Sequence, residues 1–346
     1  VKTLFGILFI IQHSSFSIMS TTAIILAAGK STRMKSKRPK ALHEICGKPM
    51  LHYILQACYD AGVTRCLVVV GHAKDEIIAA FEDDRRIHWV EQTEQLGTGH
   101  AAKVCIPELE KLQGDVFLLA GDVPLIRGEV LTTLLRTHRE DQAAASMATA
   151  VLDDPTGYGR IVRDDKGDFA DIVEQADATP EQREIREVFP SYYCVKVSEL
   201  LFALSKLKND NKKGEYYLTD IYGILRRAGK KVVAVNAVTQ EDVLAPNTRV
   251  QLAEADLVMQ DRIHRRLRDN GVSIVSSANT YIESDVNIGP DTTIKPFTFI
   301  GRDSSIGAEC CIGPFASVPR ESIVPEGTTI AGNVTSETST LSQGGG

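Results

Sequence analysis

The sequence predicts an α/β protein in which a Rossmann-like, mainly parallel sheet with flanking helices precedes a short parallel β-helix of hexapeptide repeats. Three observations carry this. Over residues 22–238 short apolar runs alternate with helical patterns, the order that buries a parallel sheet between helices. The runs Cys66-Leu67-Val68-Val69-Val70 and Val116-Phe117-Leu118-Leu119-Ala120 are apolar at every position, as in strands covered on both faces. Later, Ile282, Ile288, Ile294, Ile300, Ile306, Ile312, Val318, Val324 and Ile330 fall every sixth residue, a period that neither a helix nor an ordinary sheet produces.

Taken in order, residues 1–20 read as an extension. Lys2 precedes an apolar run over 4–11 that is too short to span a membrane, and no A-x-A pattern follows. Val1 opens the chain while Met19 stands just before the first strand, so a disordered extension or a start-site artefact is expected. The α/β domain is expected over 21–250, with helices over 50–61 and 75–81 between the strands. Leu252, Ala255, Met259, Ile263 and Leu267 have helical spacing and Gly271 is a stop signal, which predicts a helical connector over 251–271. The repeat follows over 272–335, each six-residue unit forming one side of a triangular prism. The Ser/Thr- and Gly-rich tail over 336–346 reads as disordered.

Composition narrows the function classes. A chain of 346 residues with 43% hydrophobic and 24% charged residues is an ordinary globular protein. A net charge of −6 argues against broad nucleic-acid binding, and no stretch suits a membrane span. Seven cysteines, with no C-x-x-C, suggest neither a disulfide framework nor a zinc site and fit reduced thiols in a cytoplasmic protein.

The chemistry concentrates after the first strand. Ile24-Ile25-Leu26-Ala27-Ala28-Gly29-Lys30-Ser31-Thr32-Arg33-Met34, closed by Arg38-Pro39-Lys40, is a strand running into a small-residue loop with several cations. Its backbone can approach a ligand closely and its charges select an anion. It is not a Walker A loop, because the first glycine of that pattern would fall on Ile24, nor a dinucleotide fingerprint, which needs three glycines. Gly121-Asp122 follows another strand and offers a carboxylate at the same sheet edge, a natural Mg²⁺ ligand beside phosphates. Gln92-Thr93-Glu94-Gln95-Leu96-Gly97-Thr98-Gly99 combines amides able to read a base edge with glycines that admit a flat ring.

These segments resemble, in order, those of N-acetylglucosamine-1-phosphate uridylyltransferases: L-A-A-G-x-x-T-R-M…P-K and Q-x-x-Q-x-G-T-x-x-A. Further matches are Asp154-Pro155-Thr156-Gly157-Tyr158-Gly159-Arg160, Ile172-Val173-Glu174, Gly214-Glu215-Tyr216-Tyr217-Leu218-Thr219-Asp220 and Asn247-Thr248-Arg249. The resemblance covers roughly residues 22–335 and implies a nucleotidyltransferase domain followed by a left-handed β-helix. It implies that Leu26, Ala27, Ala28, Gly29, Lys40, Gln92, Gln95, Gly97 and Thr98 bind the nucleotide. It implies that Thr98, Gly159 and Glu174 bind the sugar, that Asp122 and Asn247 hold Mg²⁺, and that Arg33 and Lys40 are catalytic. The implied reaction transfers a uridylyl group from UTP to N-acetylglucosamine 1-phosphate, releasing pyrophosphate, in a homotrimer joined through the β-helix. Neighbouring alternatives are transfer to another sugar 1-phosphate and a non-catalytic nucleotide-sugar-binding protein.

Two departures from that family stand out. Its N-T-G segment, whose Asn contacts the sugar, corresponds here to the stretch Val188-Phe189-Pro190-Ser191-Tyr192, so Phe189 or a neighbour replaces the Asn. Its bifunctional members acetylate glucosamine 1-phosphate on a longer β-helix with a histidine base. All eight histidines here lie at or before His264, which predicts no acetyltransferase activity.

Overall fold

The structure, a computed structural model, describes residues 21–29, 32–211 and 214–332. The expected extension over 1–20, the tail over 336–346, and Lys30 and Ser31 of the cationic loop lie outside the described residues. In chain order the first part runs β1 (Thr21–Leu26), the short strands β2 (Glu44–Ile45) and β3 (Lys48–Pro49), α1 (Met50–Asp60), β4 (Arg65–Val70), α2 (Lys74–Ala79) and β5 (Ile87–Glu91). It continues through α3 (Thr98–Lys103), α4 (Ile106–Leu109), β6 (Asp115–Ala120), α5 (Gly128–Glu140), β7 (Ala145–Val151), β8 (Gly159–Arg163) and β9 (Phe169–Val173). It closes with α6 (Pro180–Arg183), β10 (Glu187–Lys196), α7 (Val197–Lys206), α8 (Asp220–Arg227), β11 (Val232–Val238) and the long helix α9 (Arg249–Asp269).

Apart from β2 and β3, which pair with each other, the strands form one sheet whose main path runs β11-β7-β10-β6-β1-β4-β5. Neighbours β1–β4, β1–β6, β4–β5 and β7–β11 are parallel, as the sequence predicts. The exception is β10, antiparallel between β6 and β7, from which the β8–β9 hairpin hangs. The apolar runs are buried on both faces for a visible reason. Ala23 and Ile25 of β1 pack with Leu51, Ile54 and Leu131 on one side. Ile24 packs with Leu118, Leu200 and Ile221 on the other. Each such fully buried Ile or Leu side chain contributes about 1.5–3 kcal/mol. Because β1, β4 and β6 are parallel, their following loops open on one edge. Ala27 N–H donates to Val69 O (2.8 Å) and Gly121 N–H to Leu26 O (2.9 Å), which sews that edge together.

The hexapeptide period becomes three parallel stacks. Strands β12 (Ser273–Ile274), β13 (Thr280–Ile282), β14 (Asn287–Ile288), β15 (Thr293–Ile294), β16 (Thr298–Ile300) and β17 (Ser305–Ile306) are followed by β18 (Cys311–Ile312), β19 (Ser317–Val318), β20 (Ile323–Val324) and β21 (Thr329–Ile330). They stack as β12-β15-β18-β21, β13-β16-β19 and β14-β17-β20. Register pairs Ile282 with Ile300 and Ile300 with Val318, so every third unit returns to the same side. The repeat's Ile and Val residues fill the interior, and the corners turn on left-handed residues at the same spacing: Asp285, Asp291, Phe297, Asp303, Glu309, Phe315 and Glu321. This core is continuous with Met259 and Ile263 of α9 and with Ile45 and Cys46 of the β2–β3 hairpin. Among the described residues no helix is long and apolar enough to cross a membrane.

Candidate active site

The shared edge of β1, β4 and β6 forms a cleft of about 470 Å³. Leu26, Ala27, Ala28 and Gly29 line it from the first loop, Lys40 from the turn that follows, Gln92, Gln95, Gly97 and Thr98 from the β5–α3 loop, and Asp122 from the end of β6. Residues far apart in sequence thus meet because parallel strands deliver all their outgoing loops to one side.

Lys40 is the electrostatic centre. Its ammonium donates to Asp122 Oδ2 at 2.5 Å and to Asn247 Oδ1 at 2.7 Å. Arg33 Nη2 donates to the same Asn247 oxygen at 2.8 Å. Asn247 stands immediately before α9, where Thr248 is the N-cap and accepts from Gln251 N–H at 3.2 Å. Asn247 Nδ2 donates to Ala245 O at 3.0 Å, which fixes the amide orientation and leaves Oδ1 toward the cations. Among the described residues no group of three or more His, Cys, Asp or Glu side chains converges to hold a metal. Asp122 and Asn247 nevertheless fit Mg²⁺. They are hard oxygen donors that already share one cation, and this ion takes one or two protein oxygens with the remainder from phosphate and water.

The opposite wall is built by hydrogen bonds between the β5–α3 loop and residues 214–218. Gly97 holds φ +101°, and a Cβ there would lie 2.6 Å from Tyr216 O. Tyr216 N–H donates to Leu96 O and Gly99 N–H to Tyr216 O, both at 2.8 Å. Leu218 N–H donates to Thr98 Oγ1 at 3.1 Å. The two amides are tied into this wall. Buried Gln92 donates through Nε2 to Gly97 O (3.3 Å) and lies 3.0 Å from His100 Nδ1. Gln95 Nε2 donates to Ala28 O at 2.8 Å, fastening the first loop.

Gly159 and Glu174 stand apart from these residues. Glu174 lines an adjoining cavity of about 610 Å³ with Asp220, Lys206 and Tyr217, and Tyr217 also lines the main cleft. A Cβ on Gly159 would lie 3.7 Å from Glu174 Oε2, so the two share one place. Burial pushes the Tyr193 hydroxyl up and the nearby Glu174 charge adds to it. Burial also raises the Asp220 carboxyl, opposed by Arg227 and reinforced by Asp210 and Asp171. Phe189 does not face the cleft. Its ring packs edge-on against Tyr193 (4.8 Å) and Tyr222 (5.8 Å) and is buried. The β10 residues that line the cleft are Ser191 and Tyr193, which sequence reasoning missed along with Glu215 and Tyr217. The missed signal is Pro190, which marks the irregularity in β10 where Ser191 takes φ +69°.

A second polar constellation has the order of a nucleophilic triad. His138 Nδ1 lies 2.9 Å from Ser146 Oγ and its Nε2 lies 3.4 Å from Asp115 Oδ1. All three residues are buried, and Asp115 pairs with Thr21 at the opposite end of the strands from the cleft. Arg139, itself partly exposed, donates through Nε to Asp115 at 2.7 Å, so the Asp115 carboxylate is held by an ion pair.

Comparison with known proteins follows the same lines. Residues 23–220 match the model of the MobA-like NTP transferase domain. The chain is 48% identical over 274 residues to a protein named Bifunctional protein GlmU from Brevibacillus brevis, covering 79% of this chain and 59% of that one. It is 45% identical over 278 residues to the protein of that name from Clostridioides difficile, covering 80% and 60%. With that from Heliobacterium modesticaldum the identity is 43% over 277 residues, covering 80% and 60%. The chain therefore spans about 60% of the length of these relatives. With a cationic loop after β1, a carboxylate after β6 and a family match that spans both, the chain belongs to the MobA-like NTP transferase domain family.

Proposed function

We propose that the chain transfers a uridylyl group from UTP to N-acetylglucosamine 1-phosphate, giving UDP-N-acetylglucosamine and pyrophosphate. The observation that carries this reading is that Lys40 and Asp122 line the cleft that Gln92, Gln95, Gly97 and Thr98 also build, with Asn247 bonded to Lys40 and Arg33 bonded to Asn247. The choice of uracil and of N-acetylglucosamine rests on the ordered sequence segments described above. The names of the relatives, each a Bifunctional protein GlmU, accord with it.

The reaction needs no protein nucleophile. An oxygen of the sugar phosphate attacks the α-phosphorus of UTP, and the bond to the bridging oxygen breaks as pyrophosphate leaves. Rate then comes from in-line positioning and neutralised charge. Arg33 and Lys40 would bind the phosphates and offset charge on the leaving group. The backbone of Ala27, Ala28 and Gly29 lets the triphosphate approach closely. Gln92 and Gln95 would present amide oxygens to the base while their nitrogens hold the wall. Glu174, beside Gly159, would accept from sugar hydroxyls, and Thr98 would lie between sugar and nucleotide. Asp122 and Asn247 would hold Mg²⁺, which would supply positive charge to offset that of the phosphates.

Ser191 and Tyr193 are the polar β10 groups in the cleft where the family places an Asn nearby, so sugar choice is the part to test. Pyrophosphate release by the full chain with Mg²⁺ and UTP should be fastest with N-acetylglucosamine 1-phosphate. Glucose 1-phosphate and glucosamine 1-phosphate run in parallel. Preference for another sugar would move the substrate, and UTP binding without release by any would favour a binding protein. Residues 272–332 contain no histidine, so these coils offer no imidazole base for acetyl transfer. The prism exposes Phe297, Phe315 and Ile323, with Phe297 and Phe315 stacked at 5.0 Å. That apolar surface supports a homotrimer through the β-helix, which sedimentation would report as three chain masses.

A further inference from the structure

The two-residue turn of the β2–β3 hairpin, Cys46-Gly47, holds φ +46° and +81°. Such a turn favours Asn, Asp or Gly at its first position, and a cysteine there is strained unless its surroundings hold it. Those surroundings come from outside the hairpin. Cys46 O accepts from Ser284 N–H at 2.8 Å and from Ser284 Oγ at 2.9 Å, both from the first coil of the prism. Cys46 N–H donates to Asp256 Oδ1 of α9 at 2.8 Å. Gln260 of α9 donates to Ile282 O at 2.6 Å and accepts from Ile282 N–H at 3.1 Å, locking α9 to the same coil. Glu283 packs beneath Gly47, where a Cβ would lie 2.5 Å from its carboxyl carbon.

The two elements clamped at this point carry the two ends of the cation cluster. Lys40 lies in the turn that leads into β2, and Met50 N–H donating to His43 O at 2.9 Å closes the hairpin base beside it. Asn247 immediately precedes α9. We propose that Ser284 and Asp256 are positioning residues. By fixing the strained Cys46-Gly47 turn against the prism and α9, they set the reach of Lys40 toward Asp122 and Asn247. The prism is thereby part of the nucleotidyl-transfer machinery. This rests on the reading that Lys40 serves the triphosphate.

The test compares the full chain with Ser284→Ala, Asp256→Ala and Asp256→Asn, below the unfolding temperature of each. Steady-state pyrophosphate release and amide exchange at Leu42, His43 and Met50 are read together. Misplacement of a reacting group by a fraction of an ångström to an ångström costs one to two powers of ten. Both alanine variants should therefore lose about tenfold in kcat and exchange those three amides faster, while β1 and β6 amides stay protected. Asp256→Asn keeps an oxygen for Cys46 N–H and should behave as the wild type. Unchanged kcat in the alanine variants, whatever their melting temperature or exchange, overturns the proposal. So does a fall in kcat without faster exchange at the hairpin. Absence of pyrophosphate release by the wild type would instead sink the functional reading. The exchange comparison then decides alone whether the clamp governs the Lys40 turn, and unchanged exchange refutes it.

Discussion

At the scale of single residues the site turns on one ammonium between two oxygens. Lys40 bonds Asp122 and Asn247, the pair that would hold Mg²⁺ on the proposed function, so lysine and metal would compete for one place. Lys40→Met removes that competitor without adding charge. Mn²⁺ affinity, followed by paramagnetic resonance, should rise several-fold as turnover falls by about 10²–10³, the usual loss for one charge-stabilising group. Weaker Mn²⁺ binding would show that Lys40 organises the pair. Asp122→Ala removes a donor altogether. Turnover should fall by roughly 10³ or more while circular dichroism and melting remain close to wild type, because Asp122 is a partly exposed cleft residue. Near-normal turnover would refute the metal assignment.

At the scale of elements, Asn247 depends on how α9 begins. Thr248 caps the helix and Gln251 Oε1 accepts from Asn247 N–H at 2.8 Å, so the first turn of α9 fixes the backbone of Asn247. Thr248→Ala should cost about 0.5–2 kcal/mol in urea unfolding. It should also raise the Mg²⁺ concentration for half-maximal activity, and a stability loss with no change in metal demand would confine the cap to folding. This dependence was only half legible in the sequence. The loop after β1 and the prism could be read directly, because each has a period or composition that no competing element shares. Strand β10 could not be placed from its residues: apolar content says that Tyr192-Tyr193-Cys194-Val195 is buried, not that it runs antiparallel between β6 and β7. The sequence raises the stretch around Phe189 as a departure from the family pattern, but not where the Phe189 ring goes. Only packing against Tyr193 and Tyr222 sends its ring into the core and leaves Ser191 at the cleft. The β2–β3 hairpin was invisible for a similar reason, since its partners stand more than two hundred residues away in sequence.

At the scale of the whole molecule, the α/β part and the prism meet through paired charges as well as apolar contact. Within the prism and beneath the Gly47 turn, Glu283 accepts from Arg320 Nε and Nη2, each at 2.7 Å, and from Arg302 N–H at 2.9 Å, and Arg320 Nη2 in turn lies 3.7 Å from Glu44 of β2. Lys48 of β3 bridges Asp285 at 3.0 Å and Asp303 at 2.9 Å. Burial alone would raise the Glu283 carboxyl, but Arg320 and the Arg302 amide outweigh it and hold it below the ordinary range. Burial alone would also raise the Asp303 carboxyl, but Lys48 and Arg302 outweigh it and hold it below the ordinary range. A carboxyl depressed in the folded state stabilises it above the unfolded pKa, and that contribution is lost as pH falls through the folded value. Asp220, raised by burial, has the opposite sign, but it lies beside Glu174, away from this junction. Acid should therefore weaken the junction. Glu283→Gln removes one titrating group and leaves the others. Above about pH 5 the variant should melt several degrees below the wild type, and the gap should close as pH falls below about 4 and the wild-type carboxyl protonates. Calorimetry from pH 7 to pH 3 measures this directly. A gap of constant size across that range would mean that Glu283 acts through shape alone, as the side chain beneath Gly47, and not through its charge on Arg320.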